Sequence, residues 1–243
     1  MVLAAVPGLA ALFGPQQATS PHVASGTMPW AEVEEYEGRV LGPLAVVGDS
    51  NSVAPWFTPG WVEMAERLLG LEPGEIVNTS IPGATAGLHP ELPVTKSGPE
   101  ILDLALGTGV DFDGLIFALG TNDVSYGRDA LQVMADLDLL IEQVETFDPE
   151  IQIFVALIPP LVEPVEGAAE IQDQIDALNA SIVSTIPASH VIDFHSILSS
   201  GLLGTEFTYY SDGIHHNALA SALKADAVVE VLSAAFGLLV AAK

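Results

Sequence analysis

Three residues of this sequence have the types and spacing that nucleophilic catalysis requires. Ser50 lies in a Gly-Asp-Ser segment, and Asp212 lies three residues before His215 near the other end of the chain. A serine hydroxyl is a weak nucleophile unless a neutral imidazole takes its proton, and a third group must hold that imidazole in the right tautomer. A carboxylate three residues before a histidine in a turn can reach the nearer ring nitrogen, which leaves the farther one for serine. The pattern therefore predicts a catalytic triad of Ser50, Asp212 and His215.

The elements that must position these residues alternate along the chain. Short apolar runs are separated by longer segments with helical periodicity, which is typical of a parallel sheet covered by helices on both faces. The predicted strands span residues 44–47, 75–78, 114–119, 151–157 and 191–194. The predicted helices span residues 56–69, 99–106, 129–146, 168–186 and 218–236. We therefore expect an α/β protein with three layers, α/β/α, around a central five-stranded parallel sheet.

Polar segments follow four of the five predicted strands. They are Gly-Asp-Ser-Asn at 48–51, Asn-Thr-Ser-Ile-Pro-Gly at 78–83, Gly-Thr-Asn-Asp at 120–123 and, between the fifth strand and the last helix, Asp-Gly-Ile-His-His-Asn at 212–217. Ligands of open parallel sheets bind in the crevice outside the carboxyl ends of the strands. The four segments are therefore expected to meet at one edge of the sheet and to form one site.

With these four blocks in this order, residues 44–236 resemble the SGNH, or GDSL, hydrolase family. The resemblance implies a flavodoxin-like fold, ester hydrolysis and no cofactor or metal. It also implies an oxyanion hole formed by the backbone N–H groups of Ser50 and Gly83 and by the side-chain amide of Asn122. Such donors stabilise the negative charge that develops on the carbonyl oxygen as serine attacks.

Two positions differ from the common pattern of that family. Ser80 replaces a frequent glycine, which makes the chain most similar to the lysophospholipase and thioesterase branch, and His216 replaces the usual proline after the catalytic histidine. The spacing from Asp212 favours His215 over His216 as the base. The remaining histidines lie outside the four blocks and are expected to be ordinary structural or surface residues; they are His22, His89, His190 and His195.

Other interpretations of the same residues remain open. Ser50 is also a good helix N-cap, and Asn122 is a common turn residue. A metal-dependent phosphoesterase is a second hypothesis, because oxygen and imidazole ligands gather on the same edge, although the usual spacing of dimetal phosphatases is absent. Its candidate ligands are Asp49, Asn78, Asn122, Asp212, His215 and His216. A third hypothesis is a binding protein without catalytic activity on the same scaffold.

The composition excludes several classes of partner. The chain has 243 residues, 49% of them hydrophobic, with 32 acidic against 6 basic side chains and a net charge of −26. That charge repels nucleic acid and anionic lipid surfaces, so neither is an expected partner. The absence of cysteine excludes disulfides and a cysteine nucleophile.

The chain divides into residues 1–43, an arm or a signal segment, and residues 44–243, the hydrolase domain. An apolar stretch near the N-terminus slightly favours export, although no basic residue precedes it. No segment predicts stable membrane insertion, and the oligomeric state is not predicted. Small-molecule, glycan or lipid esters are the expected substrates, with neutral esters of short to medium acyl chains preferred. Trp56, Phe57 and the apolar loop 158–162 suggest an acyl groove; acetylated sugars, lysophospholipids and thioesters are alternatives.

Overall fold

The structure is a computed structural model that describes residues 41–54, 58–161, 167–199 and 209–238. Its centre is one sheet of five parallel strands in the order β2-β1-β3-β4-β5. The strands are β1 Leu44–Gly48, β2 Ile76–Asn78, β3 Gly114–Ala118, β4 Gln152–Ala156 and β5 Val191–Ile192. The predicted α/β fold with a five-stranded parallel sheet is confirmed.

Seven α-helices lie in the described part of the chain. They are α1 Trp61–Leu68, α2 Gly98–Leu106, α3 Thr121–Ser125, α4 Ala130–Phe147, α5 Ala168–Thr185, α6 Phe194–Ser199 and α7 Ala218–Phe236. The last five-turn helix has the predicted bounds, and its first turn is capped by Asn217, whose side chain accepts from the Leu219 and Ala220 N–H groups.

Two element boundaries differ from the prediction by more than one residue, and both differences have a local cause. The first helix begins at Trp61 rather than at 56, because Gly60 has an extended backbone and forms its N-cap. Phe194, predicted to end the fifth strand, begins α6 instead. The side chain of Asp193 accepts a hydrogen bond from the Ser196 N–H and so initiates this short helix.

The two faces of the sheet explain the three layers. All five residues of β1 are buried, and they alternate between two apolar clusters. Ala45 and Val47 belong to the cluster that includes α2, α4 and α5, whereas Leu44 and Val46 belong to the cluster with α1 and α7. A strand with period two that is apolar on both faces can only be an interior strand of a covered sheet.

None of the helices in the described part of the chain is long and apolar enough to span a membrane. The prediction of an N-terminal arm or signal segment concerns residues that lie outside the described part, except for the last three positions before β1.

Candidate active site

The predicted nucleophile lies at the carboxyl end of the central strand β1. Ser50 opens a single 3-10 turn, Ser50–Ser52, whose N-cap is Asp49; the Asp49 carboxylate accepts the Asn51 N–H at 2.8 Å. Gly48 precedes this turn at a point of close approach, since a Cβ there would lie 2.7 Å from the Ser52 Oγ and 2.8 Å from the Ser80 Oγ. A side chain at position 48 would therefore push the nucleophile turn out of place.

The predicted aspartate and histidine lie in one compact turn before α7. Tyr210 and His216 pair as an isolated antiparallel bridge, and the Ser211 N–H donates to the His215 carbonyl at 2.8 Å. The Asp212 carboxylate accepts the His215 N–H at 2.7 Å. This turn is held to the loop after β4 by the Tyr210 hydroxyl, which donates to the Pro160 carbonyl.

The three side chains are within hydrogen-bond distance of one another in the order that the chemistry requires. The His215 Nδ1 lies 2.6 Å from the Asp212 Oδ2, and the His215 Nε2 lies 3.1 Å from the Ser50 Oγ. If Nδ1 carries a proton donated to Asp212, Nε2 has a lone pair directed at the serine hydroxyl. The structure therefore brings together all three residues that the sequence singled out.

The electrostatics of this pair suit a general base. Burial tends to raise the pKa of Asp212, but the hydrogen bonds from the His215 ring and backbone outweigh it and lower that pKa to about 2. The hydrogen bond from Asp212 raises the pKa of His215 above the ordinary 6.5, and burial opposes the shift only in part. The aspartate therefore stays ionised near neutral pH, which is the state that can stabilise an imidazolium on His215.

The pH dependence of turnover follows from these shifts. Since only the neutral imidazole accepts the serine proton, we expect kcat/KM to rise with pH through a transition above 6.5, the ordinary histidine value. Asp212→Asn should move this transition to lower pH, because the hydrogen bond that raises the pKa of His215 is weakened, and should also lower the plateau rate. Ester hydrolysis measured from pH 5 to 9 checks both. An unchanged transition in the variant would contradict the assigned role of Asp212.

The residues predicted for the oxyanion hole lie in three segments, which are the nucleophile turn after β1, the loop after β2 and the helix α3 after β3. Gly83 is buried with φ +80°, a left-handed conformation that favours glycine. The Asn122 side-chain Nδ2 donates to the carbonyl of Ala84 at 2.8 Å, which places the amide beside the Gly83 segment. The Ile81 N–H donates to the Gly48 carbonyl at 3.0 Å and joins the same loop to the nucleophile strand. An amide has two N–H donors, and the bond to the Ala84 carbonyl uses one of them.

Asp123, next to Asn122, has a structural role. Its fully buried carboxylate accepts the Ala86 N–H at 2.8 Å and the Arg128 guanidinium at 2.8 Å, and Arg128 also pairs with Asp136. Burial raises the pKa of Asp123 to about 6, although the Ala86 N–H and Arg128 oppose the shift. The contacts of Asp123 hold the glycine loop against α3.

We expect Asp123→Asn to lower stability much more than it lowers turnover. An amide cannot accept both hydrogen bonds without placing its own N–H groups against a donor, so the free energy of unfolding should fall by about 2 to 4 kcal/mol. Denaturant unfolding and kcat of the folded fraction check this. A variant with normal stability and lost turnover would show that Asp123 acts in the chemistry instead.

The structure also places residues that the sequence singled out for other reasons. Asn78 donates its amide to the Ser52 carbonyl at 2.7 Å and accepts the Ser80 N–H, so it braces the nucleophile turn. His195 contacts Asn179 and the Ile158 carbonyl, away from the triad. Trp56, Phe57 and His22 lie outside the described residues. In the described ranges, no group of three or more histidine, aspartate and glutamate side chains is arranged to hold a metal ion.

Sequence reasoning missed a buried cation beneath the site. Lys224, on α7, has 1% of its surface exposed, and its Nζ donates to the Asn51 carbonyl at 2.9 Å. His216, which the spacing disfavoured as the base, is buried beside it, with Nδ1 3.4 Å from the lysine Nζ. Helical periodicity did indicate the burial of Lys224. It lies four residues from both Ala220 and Val228, which are on the inner face of α7.

Comparison with known proteins agrees with the fold and identifies the family. The model of the GDSL-like lipase/acylhydrolase family matches residues 46–223. Because this match covers most of the chain, the protein belongs to that family. It is a carboxylic ester hydrolase. Among proteins with curated descriptions, none matches the sequence significantly.

Solved structures of similar fold include three esterases. A carbohydrate acetylesterase from Sinorhizobium meliloti superposes with a TM-score of 0.64 at 18% identity, covering 80% of this chain and 100% of its own. The aryl esterase of M. smegmatis gives 0.60 at 20% identity, covering 79% and 99%. A carbohydrate esterase of family 3 from Talaromyces cellulolyticus gives 0.57 at 17% identity, covering 81% and 99%. At such identities the likeness establishes the shared fold.

Proposed function

We propose that this protein hydrolyses carboxylic esters of short to medium acyl chains through an acyl-enzyme intermediate on Ser50. The observation that carries the proposal is the relay from the Asp212 carboxylate through His215 to the Ser50 hydroxyl, with distances of 2.6 and 3.1 Å. His215 removes the serine proton as the Oγ attacks the ester carbonyl. The imidazolium then protonates the leaving alcohol. In the second half of the reaction a water molecule attacks the acyl-enzyme, with His215 again as the base, and the acid is released.

The oxyanion that forms during attack would be held by the donors of three segments. They are the backbone N–H of Ser50, the backbone N–H of Gly83 and the free N–H of the Asn122 amide. Preorganised donors of this kind cost no reorganisation at the moment of reaction, which is why they favour the transition state over the ester.

The loop after β4 favours short acyl groups. It was predicted to contribute to an acyl groove, but Leu157, Ile158 and Leu161 each expose less than a tenth of their surface and pack in the core. Their side chains therefore offer little open apolar surface to a long chain, and Val162 lies outside the described residues. We expect acetyl to butyryl esters to react faster than octanoyl esters.

A carbohydrate O-acetylesterase is the second candidate. Two carbohydrate esterases of similar fold favour this candidate, because they show that the architecture can serve such substrates. The buried loop after β4 also favours it. A small acyl group leaves recognition to the alcohol side of the substrate. Lysophospholipids and thioesters remain weaker alternatives, because their long acyl chains would need the open apolar groove that this loop does not offer.

The test of the proposal is covalent labelling. A fluorophosphonate should modify Ser50, and mass spectrometry of the labelled peptide should locate it there; Ser50→Ala should remain unlabelled and inactive. Label on another serine, with an active Ser50→Ala variant, would contradict the mechanism. A chelator should leave the rate unchanged, and loss of activity restored by a divalent ion would favour the metal-dependent alternative. A panel of p-nitrophenyl esters beside acetylated xylan then separates the two substrate classes.

A further inference from the structure

A lysine ammonium lies buried between the two halves of the proposed triad. Taking such a charge out of water is costly unless other groups compensate it. The Nζ of Lys224 lies 4.5 Å from the centre of the Phe194 ring and 5.5 Å from that of Trp61, so aromatic faces surround part of the ammonium. Its polar contacts point to the active site, and they account for its position.

The first polar contact of Lys224 is with the nucleophile turn. The Asn51 carbonyl, one residue after Ser50, accepts the Lys224 Nζ at 2.9 Å and the Trp61 Nε1 at 3.1 Å. Asp49, one residue before Ser50, is 2% exposed and lines the same small cavity as Lys224, with room for about one water molecule. The lysine therefore contacts the turn at Asn51 and shares a cavity with Asp49, on the other side of the nucleophile.

The second polar contact is with the histidine turn. The Nδ1 of His216 lies 3.4 Å from the Lys224 Nζ, and His216 directly follows the proposed base. If Lys224 is protonated, its ammonium can only donate, so Nδ1 would be the unprotonated nitrogen and Nε2 would carry the hydrogen. Burial and the neighbouring lysine hold the pKa of His216 well below its usual range, consistent with a neutral ring. The ring also packs against Tyr210, with centroids 5.1 Å apart.

We propose that Lys224 is a positioning residue that ties the nucleophile turn to the histidine turn and so maintains the distance between the Ser50 Oγ and the His215 Nε2. One ammonium bridges the Asn51 carbonyl and the His216 ring, while the Asp49 carboxylate compensates its charge. This inference rests on the proposed function of the same site. The proposal also assigns a role to His216, which stands at a position where the family usually has proline.

Opposite charges on Lys224 and Asp49 would favour each other, whereas burial disfavours both. Burial lowers the pKa of Lys224 to about 7, and the Asp49 carboxylate opposes that shift. Burial also raises the pKa of Asp49, while the Asn51 N–H and the charge of Lys224 oppose the shift. The attraction between the two groups offsets part of the cost of burying them, and removing the lysine would take that attraction away from Asp49.

The test is Lys224→Met, which has similar length but no charge and no donor. We expect a folded enzyme with KM within about threefold of the parent and kcat lower by about 10- to 100-fold, since small misplacements of reacting groups have effects of this size. Val228→Ala, on the same buried face of α7, is the matched control and should lower the thermal midpoint without changing kcat. A Lys224→Met enzyme with parental kcat would overturn the proposal.

A measurement on the unaltered protein keeps the proposal testable even if Lys224→Met fails to fold. Proton–nitrogen NMR of the imidazoles, with His216→Gln to assign the signal, should show His216 neutral near pH 6 with its hydrogen on Nε2. A His216 hydrogen on Nδ1 would overturn the proposal, because that nitrogen could not accept from Lys224. Fluorophosphonate labelling of Ser50 is run in parallel. Its absence in the parent enzyme would contradict the proposed function itself, whatever the state of His216.

Discussion

Ser50→Ala and His215→Ala are each expected to lower kcat by about 10⁴- to 10⁶-fold, and the double variant should be little worse than either alone. The reason is that the hydroxyl and the imidazole act as one unit: without the imidazole 3.1 Å away, the serine keeps its proton, and without the serine the base has nothing to activate. The residual rate would come from the oxyanion donors and from substrate binding. Steady-state kinetics on a p-nitrophenyl ester measure all three variants.

The thermal midpoint is the control for this first prediction. Both side chains lie at the edge of the sheet rather than in either apolar cluster, so the midpoint should change little. Multiplicative losses in the double variant would mean that the two residues act independently. In that case the 3.1 Å contact between them would not describe the reacting enzyme.

Asn122→Ala is expected to lower kcat by about 100- to 1,000-fold, or roughly 3 to 4 kcal/mol of activation free energy, with a much smaller change in KM. The Asn122 amide already gives one N–H to the Ala84 carbonyl, and its other N–H is the one available to the oxyanion. A contact made mainly in the transition state appears in turnover rather than in binding. Measurement of kcat and KM on one preparation tests this.

Asn122→Asp separates chemistry from folding in this second prediction. A carboxylate can accept but not donate, and it would place negative charge where the oxyanion must form, so it should be at least as damaging as alanine. Because Asn122 is only 5% exposed, the thermal midpoint is measured alongside. A folded Asn122→Asp enzyme with near-parental kcat would remove Asn122 from the oxyanion hole and leave only the two backbone donors.

The fold and the proximity of the triad residues could be anticipated from local patterns. The runs that became β1, β3 and β4 are nearly continuous in apolar residues, as is typical of strands buried on both faces, and parallel strands bring their carboxyl ends to one edge whatever the loops do. Asp212 and His215 are three residues apart, so their contact depends on one turn. Only the approach of His215 to Ser50 required the whole sheet to form.

What the sequence could not indicate are contacts that depend on long-range packing. Lys224 meets the Asn51 carbonyl across 173 residues, and nothing local to either position predicts that distance. The short helices α3 and α6 were missed because five or six residues are too few to show helical periodicity. The burial of Ile158 was missed because an apolar loop segment can cover the core or line a groove with the same composition.

The local pairing of Asp212 with His215 reduces the number of long-range constraints that the active site needs. These two residues share one turn, whereas Ser50 and His215 are separated by 165 residues. Only one contact of the proposed triad therefore depends on long-range packing, and it is the contact between the Ser50 Oγ and the His215 Nε2. We expect a substitution far from the site to disturb these three residues mainly by changing the distance between the Ser50 Oγ and the His215 Nε2.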